Sequence, residues 1–243
     1  PMTKLFQIIT DSSCDLPQSL ADELDLRVLP LHVTIDGKTY NNYLDGREIA
    51  FKDFFDKLRA GSQGTTSAVN PEEFRAEMEP VLAAGLDVLY VGFSSGLSTT
   101  YQSGCIAADE LREKYPERKI LTIDSLGASL GEGLYVYLAA KKQQSGATIE
   151  ETHDYLMQTR PHLCHWFTVN DLMHLKRGGR VSATAALLGT MLQIKPVMHM
   201  DDEGHLIPVS KARGRKASLQ ALVQHCRKMD NSLDTFIFSK HSV

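Results

Sequence analysis

Apolar residues come in two rhythms along this chain, and the alternation between them predicts its organisation. Leu5 to Thr10 is an almost continuous apolar run, as expected of a strand covered on both faces, and it ends in Asp11, Ser12 and Ser13. Asp15 then reads as the cap of a helix with Pro17 in its first turn and Leu16, Leu20 and Leu24 along one side. Arg27 to Ile35 predicts a second strand, and Asp36-Gly37 before Lys38 to Tyr40 a hairpin. Glu48 to Arg59 carries Ile49, Phe54, Phe55 and Leu58 at helical spacing, with Gly61 as its stop. The segment Ser62 to Asn70 is small, polar and rich in hydroxyls. It leads into a helix signalled by Asn70, Pro71 and Glu73, so Thr65, Thr66 and Ser67 are expected just before a helix N-terminus.

Asp87 to Gly104 is the stretch around which the rest is arranged. Val88 to Val91 is a buried strand, Gly92 to Gly96 a corner of small residues, and Ser98 or Thr99 opens a helix that runs to Tyr115. Helix N-termini leave backbone N–H groups unpaired and carry a partial positive charge, which suits an anion. Simple capping and turn-filling by these serines is the competing reading. Ile120 to Ile123 predicts the next strand, ending at Asp124 and Ser125, followed by helices at Leu130 to Gln144 and from Thr148 with Glu151. Three strands therefore end in hydroxyls and carboxylates at one sheet edge, the edge at which open α/β sheets bind ligands.

From about residue 161 the character changes. A short strand at His165 to Val169 precedes a brief helix, the turn Arg177 to Arg180, and an Ala/Leu-rich helix from Ser182 to Gln193. A hairpin from Pro196 to Val209, a basic run at Lys211 to Lys216 and a helix at Ala217 to Met229 follow. The expected fold class is α/β in two domains. Residues 1–160 form an open parallel sheet with helices on both faces, and residues 161–243 a mixed, partly antiparallel domain.

Bulk properties narrow the function. The chain has 243 residues, 42% of them hydrophobic, enough for a full core. Its net charge of -4 and pI of about 6.2 supply no overall basic field for nucleic acid. Four scattered cysteines with no CxxC pair point to reduced thiols, hence a cytoplasmic protein, and His162, Cys164 and His165 lack a second ligand pair for zinc. No metal and no cofactor is expected. The opening apolar run is too short for a signal peptide, and no stretch reaches the 18 or so apolar residues of a membrane span.

Three features invite chemistry. Gly92-Phe93-Ser94-Ser95-Gly96 fits the G-x-S-x-G nucleophile elbow, which makes a serine hydrolase the alternative function, although the hydroxyls of Thr65 to Ser67 have no task in a triad. Arg177 and Arg180 flank two glycines and suit bidentate contact with a phosphate or a partner's carboxylates, or form a solvated turn. Leu187, Leu188, Met191, Leu192 and Ile194 make an apolar stripe that suits a core or the wall of a lipid tunnel.

Five segments together carry a resemblance: ITDSSCDLP (Ile9 to Pro17), TTSAVNPEEF (Thr65 to Phe74), FSSGLSTTYQS (Phe93 to Ser103), IDSLGASLGEG (Ile123 to Gly133) and LKRGGRVSATAALLGTMLQIKPV (Leu175 to Val197). In this order they resemble the DegV family of bacterial fatty-acid-binding proteins over nearly the whole chain. The resemblance implies a non-enzymatic carrier that holds one long-chain fatty acid between two domains. It also implies a partner, the ATP-binding subunit of a fatty acid kinase, which converts the presented carboxylate into an acyl phosphate. The family's carboxylate-binding threonine falls on Thr66 and its serine on Ser98, with Ser95 as second choice. Arg177 and Arg180 become candidate docking residues for the kinase. Ala68 and Val69 replace the family's usual Gln-Pro, and Thr99 replaces a glycine after Ser98, departures of loop geometry rather than of chemistry. A further histidine of the family's carboxylate site belongs to an HTGPG-like segment past the strand expected at Thr235 to Ser239. His241 matches a different position, so a C-terminal domain short at its end is expected.

Overall fold

The computed structural model describes residues 4–181 and 193–229. The Ser182 cap, most of the helix and apolar stripe expected after it, the strand at Thr235 to Ser239 and His241 lie outside the described residues. The chain divides into two compact units between Leu163 and Cys164.

The first unit is built on a parallel four-stranded sheet in the order β2-β1-β6-β7, with β1 at Phe6–Asp11, β2 at Arg27–Leu29, β6 at Asp87–Gly92 and β7 at Ile120–Asp124. Side chains alternate across a strand, and β6 shows the consequence. Val88 and Tyr90 enter a core with Phe74, Met78 and Leu82 of α3 (Pro71–Ala83) and Ala107 and Leu111 of α4 (Thr100–Lys114). Leu89 and Val91 enter the opposite core, with Tyr135, Val136 and Ala139 of α5 (Leu130–Gln144) and Leu156 of α6 (Ile149–Thr159). Helices thus cover both faces, which is why the strands read as unbroken apolar runs. Gln7 is a buried polar residue within the apolar run of β1. Its amide donates to the Asp25 carbonyl at 2.7 Å and to the Ile8 carbonyl at 3.0 Å, which meets the cost of burying it.

Three expectations need correction here. The stretch from Arg27 to Ile35 is two strands, since Pro30 lacks the N–H that a ladder needs. After it β3 (His32–Ile35) leaves the main sheet and joins a small antiparallel sheet in the order β4-β3-β5, with β4 at Lys38–Asn41 and β5 at Gly64–Ser67. Asp36 and Gly37 both have positive φ, as a two-residue turn with the twist of a hairpin demands. Asp15 is not a cap. Asp11 caps a short 3-10 turn at Ser12–Cys14, Asp15 takes the left-handed conformation after it, and α1 is confined to Gln18–Glu23. The amphipathic helix expected from Glu48 begins later, as α2 at Phe51–Arg59.

The second unit contains a three-stranded antiparallel sheet in the order β10-β9-β8, with β8 at Trp166–Phe167, β9 at Ile194–Met200 and β10 at Leu206–Arg213. Helix α7 spans Leu172–Arg177 and α8 spans Arg215–Met229. Leu172, Val181 and Met198 form its small buried cluster. Trp166 stacks with two imidazoles, 4.1 Å from His225 and 5.2 Å from His199 between ring centres.

Candidate functional site

The carboxyl ends of β1, β6 and β7 meet as the strand-end pattern predicts. Their construction starts from Tyr90, whose wholly buried ring lies edge-on to Phe74 at 4.8 Å. Two glycines make room for it. A Cβ at Gly92 would stand 2.5 Å from the Tyr90 hydroxyl oxygen, and one at Gly104 would stand 2.4 Å from ring atom Cε1. With that space open, the phenol donates to Asp11 Oδ2 at 3.2 Å.

Asp11 is also buried. Its Oδ2 accepts from the Phe93 amide at 3.0 Å and its Oδ1 from the Ser13 amide at 3.2 Å. Beside it, from the first turn of α5, stands Glu132, fully buried, which accepts from the Thr10 hydroxyl at 3.2 Å and from the Ser13 hydroxyl. Burial pushes the Asp11 carboxyl above the usual carboxylate range. Burial, and then the neighbouring Asp11 charge, push Glu132 well above it. The two side chains share a hydrogen bond that favours the proton on Glu132 and the charge on Asp11. Gly133 lets α5 come this close, because a Cβ there would meet the Cys14 carbonyl oxygen at 2.5 Å.

On the other flank, Asp124 accepts from the Ser95 amide through both carboxylate oxygens at 3.3 Å and from the Leu126 amide at 3.0 Å, while its own carbonyl accepts from Arg160 at 2.9 Å. The turn that follows β7 contains Leu126 and Ser129 at positive φ, and the Ser129 hydroxyl donates to Asp15 at 2.7 Å. Both side chains sit in sparsely populated backbone conformations.

Ser95 and Ser98 share the connection between β6 and α4. Ser95 is exposed, and Ser98 is half-buried with its hydroxyl accepting from the Thr100 amide at 3.1 Å. Ser98 thus covers the first amide of α4, while Thr99, at the cap position, makes no side-chain cap bond. Thr66 is placed differently from the expectation. It lies on strand β5, opposite Val33 of β3 and exposed, not at a helix N-terminus. Asn70 caps α3, and Val69 anchors the segment in the Tyr90 core. The structure therefore gathers Ser95 and Ser98 on one turn and carries Thr66 on a separate strand of the same unit.

The nucleophile elbow does not fit this turn. Ser94 is wholly buried, and its hydroxyl accepts from the Gly96 amide at 3.2 Å. The next amide, which an oxyanion hole would need, is committed to the Asp124 carboxylate.

Arg177 and Arg180 lie in the second unit, both exposed; Arg177 reaches Asp171 at 3.6 Å and Arg180 donates to the Gly178 carbonyl. Only Gly179 of the two glycines between them needs positive φ. Among the described residues no group of three or more His, Cys, Asp or Glu is placed to hold a metal, and no helix is long and apolar enough to cross a membrane. A cleft of about 190 Å³ in the first unit is bounded by Ser12, Val28, Asn42 and Arg47, apart from Thr66, Ser95 and Ser98. Sequence reasoning passed over Tyr90 and Glu132 as residues that build this sheet edge. Their signal was the glycines at 92, 104 and 133, small residues where a neighbour comes close.

Comparison with known proteins places these features in context. A family model described as an uncharacterised protein of the DegV family matches residues 5–240. A DegV domain-containing protein of Clostridium perfringens is 44% identical over 240 residues, which cover 98% of this chain and 82% of that protein. The structure of a fatty-acid-binding DegV family protein from Thermus thermophilus superposes with a TM-score of 0.80 at 34% identity, covering 93% of this chain and 78% of the other. A stearic-acid-binding protein from Eubacterium ventriosum superposes with a TM-score of 0.81 at 25% identity, covering 95% and 77%.

Proposed function

Because this chain belongs to the DegV family, we propose that it carries one long-chain fatty acid and presents the carboxylate to a partner kinase. The supporting observation is the turn between β6 and α4, where Ser95 and Ser98 offer hydroxyls at a helix N-terminus. The binding of fatty acids by proteins with this fold, stearic acid among them, agrees with it. On this reading Ser98, with Ser95 beside it, and Thr66 donate hydrogen bonds to the carboxylate. The N-terminal end of α4 adds its partial charge. Ser98 accepts from the Thr100 amide and its hydroxyl meets the Thr100 hydroxyl at 2.9 Å; with Thr100 as the donor of that pair, the Ser98 proton goes to the ligand.

The acyl chain supplies most of the affinity, at about 0.8 kcal/mol per buried methylene, so ten methylenes contribute about 8 kcal/mol. Such a ligand leaves slowly and accompanies the protein through purification. The chain by itself turns nothing over. A carboxylate oxygen forms a bond to the γ-phosphorus of ATP on the kinase as the bond to the β-phosphate oxygen breaks, and acyl phosphate and ADP result. Arg177 and Arg180 are the proposed docking residues for that kinase.

Mass spectrometry of an organic extract tests the reading, with wild type and a Thr66→Ala, Ser98→Ala double variant prepared alike. One equivalent of fatty acid in wild type and a depleted variant are expected. An empty extract from folded wild type, or equal loading of the two, would refute it.

A further inference from the structure

In the turn between β6 and α4 the amides of Phe93 to Ser98 are taken. Phe93 donates to Asp11, Ser94 to the Gly127 carbonyl at 2.9 Å, Ser95 to Asp124, Gly96 to the Ser94 hydroxyl, and Leu97 and Ser98 to the Ser94 carbonyl at 3.0 and 3.2 Å. Two of these acceptors are carboxylates, one from the strand on each side of β6. A carboxylate is a costly choice beside a site for an anion, because like charges repel. Its return is grip: hydrogen bonds to an ionised acceptor are about twice as strong as neutral ones.

We propose that Asp11 and Asp124 are positioning residues of the fatty-acid site, clamping the Phe93–Ser95 backbone so that Ser95 and Ser98 aim their hydroxyls at the ligand's carboxylate. The inference rests on the function proposed above. It gives the turn a division of labour. The carboxylates consume backbone donors, so the hydroxyls of the turn remain to recognise the ligand. Glu132 belongs to the same device: from α5 it shares a hydrogen bond with Asp11, and through Ser13 and Thr10 it ties that carboxylate to the end of β1. Tyr90 reaches Asp11 from inside the sheet. Asp124, half-buried at the rim, has a lighter frame of the Ser95 and Leu126 amides.

The test separates aiming from mere folding by using a ligand without a carboxylate. Delipidated wild type, Asp11→Asn and Asp124→Asn are titrated with stearic acid and, separately, with 1-octadecanol, after circular dichroism has confirmed the fold. A misaimed turn loses about one hydrogen bond to a charged group, so stearate affinity should fall about tenfold or more in each variant. Octadecanol affinity should stay within about twofold of wild type. Equal losses for both ligands, or none for either, would overturn the proposal. If Asp11→Asn fails to fold, Asp124→Asn alone decides, since its side chain reaches the surface. The Thr66→Ala, Ser98→Ala variant is titrated alongside. Should that variant bind stearate as wild type does, the carboxylate site itself is misassigned; should it discriminate while the Asp variants do not, only the clamp fails.

Discussion

Gly104→Ala isolates the contact on which the site is built. In an ordinary helix this change is stabilising by about 0.8–1.0 kcal/mol, since alanine is the better helix former. Here the added Cβ would lie 2.4 Å from Tyr90 Cε1 and 2.8 Å from Cδ1. Carbon atoms pack at about 3.5–4.0 Å, so the ring would have to retreat by about 1 Å. It has nowhere to go: it is wholly buried, set against Phe74 on one side and Tyr101 on another, and tied by its hydroxyl to Asp11. Overpacking of this kind costs about 1–3 kcal/mol, which cancels the gain from helix propensity and leaves a net loss of up to about 2 kcal/mol.

The aromatic residues make the assay selective. All eight tyrosines precede Leu163 and the single tryptophan, Trp166, follows it, so near-ultraviolet tyrosine signals report the first unit and tryptophan emission the second. Thermal unfolding followed through tyrosine should show no upward shift and a fall of up to roughly 8 °C. In a Tyr90→Leu background the same alanine should be neutral or favourable, because the ring that it strikes is gone. An upward shift in the wild-type background, of the size helix propensity alone provides, would refute the packing argument.

Two further outcomes follow from the same unit. Glu132 is raised by burial and by Asp11, so between the ordinary glutamate value of about 4.3 and its folded value the native protein holds a proton that the unfolded chain has released. Its contribution is fully present below that ordinary value and is lost as pH rises through the folded one, at up to about 1.4 kcal/mol per pH unit for one proton. Glu132→Gln cannot release that proton; urea titrations across pH should show a shallower decline in the variant, and identical slopes would count against the buried pair. Asn70→Ala removes the acceptor for the Glu73 amide at 2.9 Å and should cost about 1 kcal/mol by urea denaturation, with Asn70→Asp restoring most of it; an undiminished Ala variant would mean that the cap contributes nothing.

Much of this architecture was legible because the physics behind it is local. The apolar runs of β1, β6 and β7, the Asn70–Glu73 and Thr148–Glu151 capping boxes and the Asp36-Gly37 turn each depend on a few neighbouring residues, and each is found where the pattern puts it. Thr66 shows where local reasoning stops. Gly64 to Ser67 contains no apolar residue and reads as a loop, yet it is a strand because β3 offers it a ladder. That pairing depends on Pro30 having turned β3 out of the main sheet, a long-range event that no window around Thr66 contains.

The strand ends pose the harder problem. Asp11, Ser94 and Asp124 lie with Ser95 and Ser98 at the sheet edge where ligands bind, and residue type alone ranks the carboxylates and Ser94 as the reactive groups. Burial and hydrogen bonding invert that ranking. Ser94 is sealed, Asp11 and Asp124 are occupied with backbone amides, and the hydroxyls nearer the surface are those of the exposed Ser95 and of the half-buried Ser98, which meets the Thr100 hydroxyl at 2.9 Å. Polar residues at such an edge thus divide into those that shape the turn and those that the turn presents. The division follows from which amide lies within reach of which carboxylate, a fact of three strands side by side rather than of any one of them.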